Sequence, residues 1–309
     1  MNVRNLSAAR PDTCDPDSVQ YALAAWNHER LTPGVHADGS PSDWAADLRR
    51  EHMMRFLEAD MVESLRASVA ERAAQAPTDA DGFVAWFEDL KATGPGQGDP
   101  LFPWLARDAT LDQMKWFLTQ EAAGEAGFDD LVALTQIKLD PPSAKLELAR
   151  NYWDEMGRGS YGGMHGPMLE RTVEQLDLKP TIEGTVVESL TLANVMTALA
   201  THRRYAYHSV GALGVVELTA PGRVAQVSEG LKRLGAPPVA RKYFALHAVL
   251  DVEHSKAWND EALKPIVAER PEAAKWIAEG ALMRLACGLA CFEAYRGHLW
   301  SSEQLLAAE

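Results

Sequence analysis

Residues 242–258 read KYFALHAVLDVEHSKAW, and within them His247, Asp251 and His254 stand at i, i+4 and i+7. At about 100° per helical residue, Asp251 lies about 40° to one side of His247 and His254 about 20° to the other. Two imidazoles and a carboxylate then share one narrow stripe, while Glu253 points to nearly the opposite side. Imidazole mixed with carboxylate is the donor set that suits iron, manganese or zinc. The stripe also has a purely structural reading, as His and Asp on a half-buried helix face satisfied by hydrogen bonds. The rest of the chain decides between the two.

Outward from this stretch, nearly everything after residue 16 reads as helix. Residues 42–75 carry Trp44, Leu48, Met53, Phe56, Leu57, Met61, Leu65 and Val69 at steps of three and four, the period of an amphipathic helix or a broken pair. Further helical stretches are expected at 17–30, 81–92, 110–126, 142–156, 184–218, 222–235, 238–265 and 270–305. Breaks are expected at GPGQGDP (94–100), Pro141-Pro142, Pro221-Gly222 and Pro237-Pro238. No alternating run is convincing as a strand; KPTIEGTVVESLT (179–191) comes nearest and merges into a helical pattern. The reading is a single all-α domain over 41–309, preceded by an irregular arm at 1–40 around one short helix.

Composition narrows the function classes. The chain has 309 residues, 47% of them hydrophobic, enough for a sizeable core. Its net charge of −14 argues against nucleic-acid binding, which usually needs a basic stripe. No apolar run resembles a signal peptide or approaches a membrane span, so a cytoplasmic protein is expected. Cys14, Cys287 and Cys291 are sparse and lack zinc spacing, which suits a reducing compartment without disulfides.

Carboxylates that interrupt apolar helix faces are candidate partners for the His–Asp stripe. Glu121 follows Met114, Phe117 and Leu118 by seven, four and three residues. Glu155 stands behind Leu148 and Tyr152, and Glu217 sits within HSVGALGVVELTAP. Burying such a group is costly unless it is paired or bound to a metal; each on its own also reads as a surface residue at a stripe edge. His165 follows Glu155 by ten residues through a run holding Gly157, Gly159, Gly162 and Gly163. Those glycines disfavour regular helix and let the chain loop His165 back towards Glu155. The same run formally matches GxGxxG, but it follows an amphipathic helix rather than a strand, so a dinucleotide site is not expected.

The ordered set Glu121, Glu155 with His165, Glu217, and His247-x3-Asp251-x2-His254 resembles the haem-oxygenase-like diiron oxidases and oxygenases. The flanking NYWDEMGRG and GALGVVELTAPGRVAQVSEGLKRLG add to the resemblance, which covers residues 110–256. It implies a haem-oxygenase-like helical bundle of about seven core helices plus extra N-terminal helices. It implies two non-haem Fe(II) ions, with O2 as co-substrate. Glu155, His165, Glu217 and His254 would hold one iron; Glu121, His247 and Asp251 would hold the other, with Glu155 bridging. Relatives often bind the second iron weakly, and their diferrous centre reduces O2 to a bridging peroxide. Some N-oxygenate amines or guanidines; others cleave C–C bonds of fatty acids or amino acids, commonly in specialised-metabolite biosynthesis. Asp154, Tyr161 and Tyr243 are candidates for orienting the histidine ligands.

Three other readings stay open: a haem protein using His28 or His52, a metal-free relative on the same scaffold, and a non-enzymatic helical interaction protein. Within the oxygenase reading, N-oxygenation of a small amino- or guanidino-type compound is expected, with Glu125, Asp129 and Glu229 available to a cation. Carbon–carbon cleavage of a fatty acid or amino acid is the alternative, with Arg203 and Arg204 as a basic mouth. The partners expected are a small-molecule substrate and an external electron donor, with no nucleic acid or membrane. The apolar stretch 272–300 reads as core or as the interface of a homodimer.

Overall fold

A computed structural model describes residues 15–33, 43–125 and 127–306. The chain runs through α1 (Pro16–Leu31), α2 (Trp44–Ala73), α3 (Ala80–Thr93), α4 (Leu101–Arg107), α5 (Leu111–Gly124) and α6 (Phe128–Thr135). It continues through α7 (Pro142–Glu155), α8 (His165–Gln175), α9 (Val187–Thr201), α10 (Ala206–Arg233) and α11 (Pro238–Ala257). It closes with α12 (Lys264–Glu269), α13 (Ala273–Leu299) and the short α14 (Ser302–Leu306). No strand occurs among the described residues; the one β-bridge pairs Met156 with Met164. The described residues form the all-α class expected from the periodicity.

Long α10 is the axis of the bundle, packed along its length by α11 and α13, with α4 and α9 on its flanks. Small residues set how closely it crosses α13. A Cβ on Gly211 would lie 1.9 Å from the Ile277 carbonyl oxygen, and one on Gly280 would lie 1.9 Å from that of His208. The backbones therefore touch where any larger residue would part them. The expected break at Pro221 does not occur: α10 continues through it to Arg233. Proline removes one helical hydrogen bond at a cost of about 3 kcal/mol, but burial of Leu218, Val227 and Leu231 on either side of it holds the helix in one piece. The break instead falls at His202, before a 3₁₀ turn over Arg203–Tyr205, where polar residues end the apolar pattern.

Four helices lie wholly or mostly outside the expected stretches: α4, α6 and α12 run for about two turns or less, and α8 follows the glycine run. The described part of the N-terminal arm, α1, is four turns long and docks on α9, where buried Asn27 donates to Asn194 Oδ1 at 3.0 Å. Helix α13, read as core or interface, is core within this chain. Cys287 and Cys291 are free and buried on it; Cys14 lies outside the described residues. No helix among the described residues is long and apolar enough to cross a membrane.

After α11 the chain makes a π turn, Trp258–Leu263. Trp258 is fully buried there, and its indole donates to the Val210 carbonyl at 3.2 Å. Gly214 leaves room for it, since a Cβ would sit 2.5 Å from the indole nitrogen.

Candidate metal centre

Helices α7, α8, α10 and α11 bring their polar residues to one place inside the bundle. Glu155 is the last residue of α7 and His165 the first of α8. Between them lie two 3₁₀ turns, pinned by the Met156–Met164 bridge. Gly157 makes this return possible: its φ is +61°, and a Cβ there would lie 2.3 Å from the Gly163 carbonyl carbon. The glycine run thus loops as its composition predicts, and it sets His165 Nδ1 2.6 Å from Glu155 Oε2.

Glu217 from mid-α10 joins them with His247, Asp251 and His254 from α11; all six are buried, none more than 8% exposed. Five of the six fall into two triplets, Glu155–Glu217–His254 and Glu155–His165–His247, each with its donor atoms within 4.8 Å of one another, and Asp251 belongs to neither. Glu155 belongs to both. The resemblance grouped His165 with Glu217 and His254; in the structure it pairs with His247, their rings 4.5 Å apart and nearly perpendicular.

The triplets differ in how they are held. Asn151, one turn before Glu155, donates to Glu217 Oε1 at 2.6 Å and lies 3.3 Å from His254 Nδ1. The far nitrogen of His254 meets Asp154 Oδ2 at 3.2 Å, and Arg158 in turn holds Asp154 Oδ1 at 2.5 Å. On the other side, His247 Nδ1 donates to its own helix, to the Tyr243 carbonyl at 2.7 Å, which leaves Nε2 free. His165 Nδ1 touches Glu155 without the geometry of a hydrogen bond, and Asp251 Oδ1 is buried without a hydrogen-bond partner. Of the three candidates for orienting the histidines, Asp154 and the Tyr243 backbone do so, while Tyr161 is exposed.

The electrostatics call for a cation. Among the described residues no Lys or Arg pairs with Glu155, Glu217 or Asp251. Burial, with Glu217 and Glu155 close by, pushes the Asp251 carboxyl up to about 10, and burial with Glu217 raises Glu155 well above the carboxylate range. Burial lowers His165 and His247 to about 4 each, so both are neutral and able to ligate. Burial also opposes charge on His254, but hydrogen bonds to Glu217 and Asp154 overcome it and raise this residue to about 9. Crowded carboxylates, two neutral imidazoles and a buried carboxylate oxygen without a hydrogen-bond partner are a set that iron fits.

Glu121 is in neither triplet. Its Oε1 accepts a 2.7 Å hydrogen bond from Tyr295, and it lines a cavity beside the centre together with Glu125. Both glutamates are open to that cavity yet enclosed by protein, so burial raises both carboxyls; Glu121 raises Glu125 further. Asp129 and Glu125 act electrostatically on Glu155, a proximity their helix charges did not signal. Glu229 is exposed on α10. Arg203 donates to the carbonyls of Leu134 and Thr135 and Arg204 pairs with Glu63, so neither forms a mouth to the cavity. Of the histidines considered for haem, His52 is exposed, and His28 lines a groove against α9.

The fold is shared with a CADD-like protein of unknown function from Nostoc punctiforme PCC 73102. That crystal structure is 18% identical, with a TM-score of 0.51 over 79% of this chain and 99% of that one. A second crystal structure under the same description gives 0.49 at the same identity and coverage. No curated protein matches the sequence. The model of the iron-containing redox enzymes matches residues 115–289. That span is more than half of the chain and encloses both triplets, and the protein belongs to this family of iron-containing redox enzymes.

Proposed function

We propose that the protein is an O2-activating, non-haem diiron oxygenase that oxidises nitrogen in a small amino- or guanidino-type substrate. The observation that carries this reading is the pair of triplets sharing Glu155, since a carboxylate common to two donor sets is what a two-metal centre needs. Glu155, Glu217 and His254 would hold one iron, and Glu155, His165 and His247 the other, with Asp251 as a further oxygen donor. Two ferrous ions would supply electrons and open positions for O2 reduction.

The remaining chemistry belongs to the protein's own side chains. An ammonium must lose a proton before its nitrogen lone pair can react. Glu125, its Oε1 held at 3.1 Å by the Gly127 N–H, is a stronger base than a surface carboxylate because burial and Glu121 raise its pKa. Leu118, Leu169, Val216 and Phe244 give the cavity an apolar wall that limits water near the reacting atoms.

Carbon–carbon cleavage of a fatty acid or amino acid is the second reading, favoured by two arginines in the apolar cavity wall, Arg223 and Arg284. Anaerobic loading with Fe(II), an iron count and then mixing with O2 tests the class. The expected result is uptake of two irons, with O2 consumption hastened by an amine substrate and a hydroxylamine, nitroso or nitro product. No iron uptake, with or without candidate substrates, would return the His–Asp stripe to a structural role.

A further inference from the structure

Helix α1 lies outside the span that the family model matches, and it walls a groove of about 640 Å³ against α6 and α9. It is pinned there by polar contacts: Tyr21 donates to the Thr185 carbonyl at 3.1 Å, Asn27 to Asn194 Oδ1 at 3.0 Å, and Asn194 to the Gln20 carbonyl at 2.9 Å. Leu23 and Trp26, both buried, pack against Met54 of α2. The wall is therefore a fixed part of the fold.

Two side chains tie this groove to the interior. Glu125 and Leu131 line the groove and also a smaller space of about 100 Å³. That space shares Glu121, Glu125, Leu192 and Val216 with the cavity of about 160 Å³ beside the metal centre. Tyr243 belongs to the wall of the cavity, and its ring stands 4.2 Å from that of His247. Glu121 and Glu125 are enclosed by protein yet open to these spaces, so the interior is hollow where they stand. The series leads from the surface under α1 to the ligand helix α11.

Charge is uneven along it. Asp130 is exposed at the groove with Asp129 close by, Glu125 stands further in, and among the described residues no Lys or Arg lines the groove. Carboxylates in a concave, largely apolar setting focus their field on whatever enters.

We propose that the groove under α1 is the entrance to the metal centre, with Glu125 and Leu131 as its neck, and that Asp130 at its mouth admits small cations in preference to small anions. This gives α1 a role that the matched span leaves unassigned, as the wall that decides what reaches the neck. What the arriving molecule undergoes rests on the oxygenase reading; the route and its charge preference do not.

Thiol labelling tests both parts. Met196 of α9 lines the space just inside the neck, so Met196→Cys, with Cys14, Cys287 and Cys291 replaced by Ser, places one reporter there. The full chain is treated with aminoethyl, sulfonatoethyl and methyl methanethiosulfonate, which are cationic, anionic and neutral, anaerobically with Fe(II) and again without metal. Each rate is divided by that of the same reagent with free cysteine, so the local thiolate fraction cancels between reagents. The cation is expected to outpace the anion by about tenfold or more, and less so at high salt. Asp130→Asn should remove most of that preference. Ala193→Trp, which fills the groove from α9, should suppress labelling by all three reagents with helical circular dichroism unchanged; Ala133→Trp, from the facing α6, repeats the test should the first variant not fold. A reporter that no reagent reaches, or labelling undiminished by either folded Trp variant, would overturn the route. Equal rates for cation and anion would overturn the charge preference. Labelling needs neither iron nor O2, so either result is separate from the iron count that decides the oxygenase reading.

Discussion

The two triplets that share Glu155 are built to different standards of rigidity. Around Glu217 and His254, donors and acceptors are locked by Asn151, Asp154 and Arg158. Around His165 and His247 the braces are a backbone carbonyl on His247 and the contact of His165 Nδ1 with Glu155 itself, and Asp251 Oδ1 is buried without a hydrogen-bond partner. A braced set binds metal without further ordering, whereas a loose one must lose side-chain freedom as it binds. On the proposed two-iron reading, one half of the site would be preorganised and the other completed on loading.

The strongest way to break this comparison is to remove what the halves share. Glu155→Ala is expected to abolish iron at both, taking the count from two towards zero, with oxygenase activity lost along with it. Retention of one tightly bound iron would show that Glu155 does not bridge. Next come the unequal variants. Glu217→Ala or His254→Ala should eliminate the tighter of two phases in an anaerobic Fe(II) titration. His165→Ala, His247→Ala or Asp251→Ala should eliminate the weaker phase and spare the tighter; the opposite order would reverse the comparison.

A smaller effect sharpens it. Asp154→Asn or Asn151→Ala leaves every proposed ligand in place and should weaken only the tighter phase, by about 10- to 100-fold. Proton release offers a readout without substitution. Asp251 and Glu155 have folded pKa values above their unfolded ones. The stability they contribute is therefore complete below about pH 4 and declines as pH rises towards the folded values. Metal-free protein should melt lower at about pH 8.5 than at about pH 6, while iron binding displaces those protons and tightens over the same window. Glu253→Ala, exposed on the far side of α11, should change neither iron phase and serves as the control.

Much of this centre was legible in the sequence because helices give it one period. His247, Asp251 and His254 share a stripe at i, i+4 and i+7, and that stripe faces the core. Glu217 declared itself as a charge inside an apolar run. Glu121 shows where such reasoning stops: it does interrupt an apolar face, but it looks into the neighbouring cavity. Helical phase tells inside from outside; it does not tell which interior space a side chain meets. Arg284 carried the same signal in GALMRLACGLACF and passed as part of an apolar core stretch. Pro221 misled for a different reason, because a local breaker was outweighed by burial of both flanks.

The π turn at Trp258–Leu263 makes the length of the chain between ligand helix and core a fixed quantity. A π turn closes over five residues rather than four, so it carries a residue that an α-helix would not. Deleting or inserting one residue there would rotate one side against the other by about 100°. Either Ile266 and Val267 of α12 would leave the core, or Trp258 and the His247, Asp251 and His254 stripe would turn away from α10 and α7. Insertions and deletions should therefore be tolerated in the glycine-rich turn at 94–100 and excluded between 247 and 263, a pattern that a library of single-codon indels would reveal.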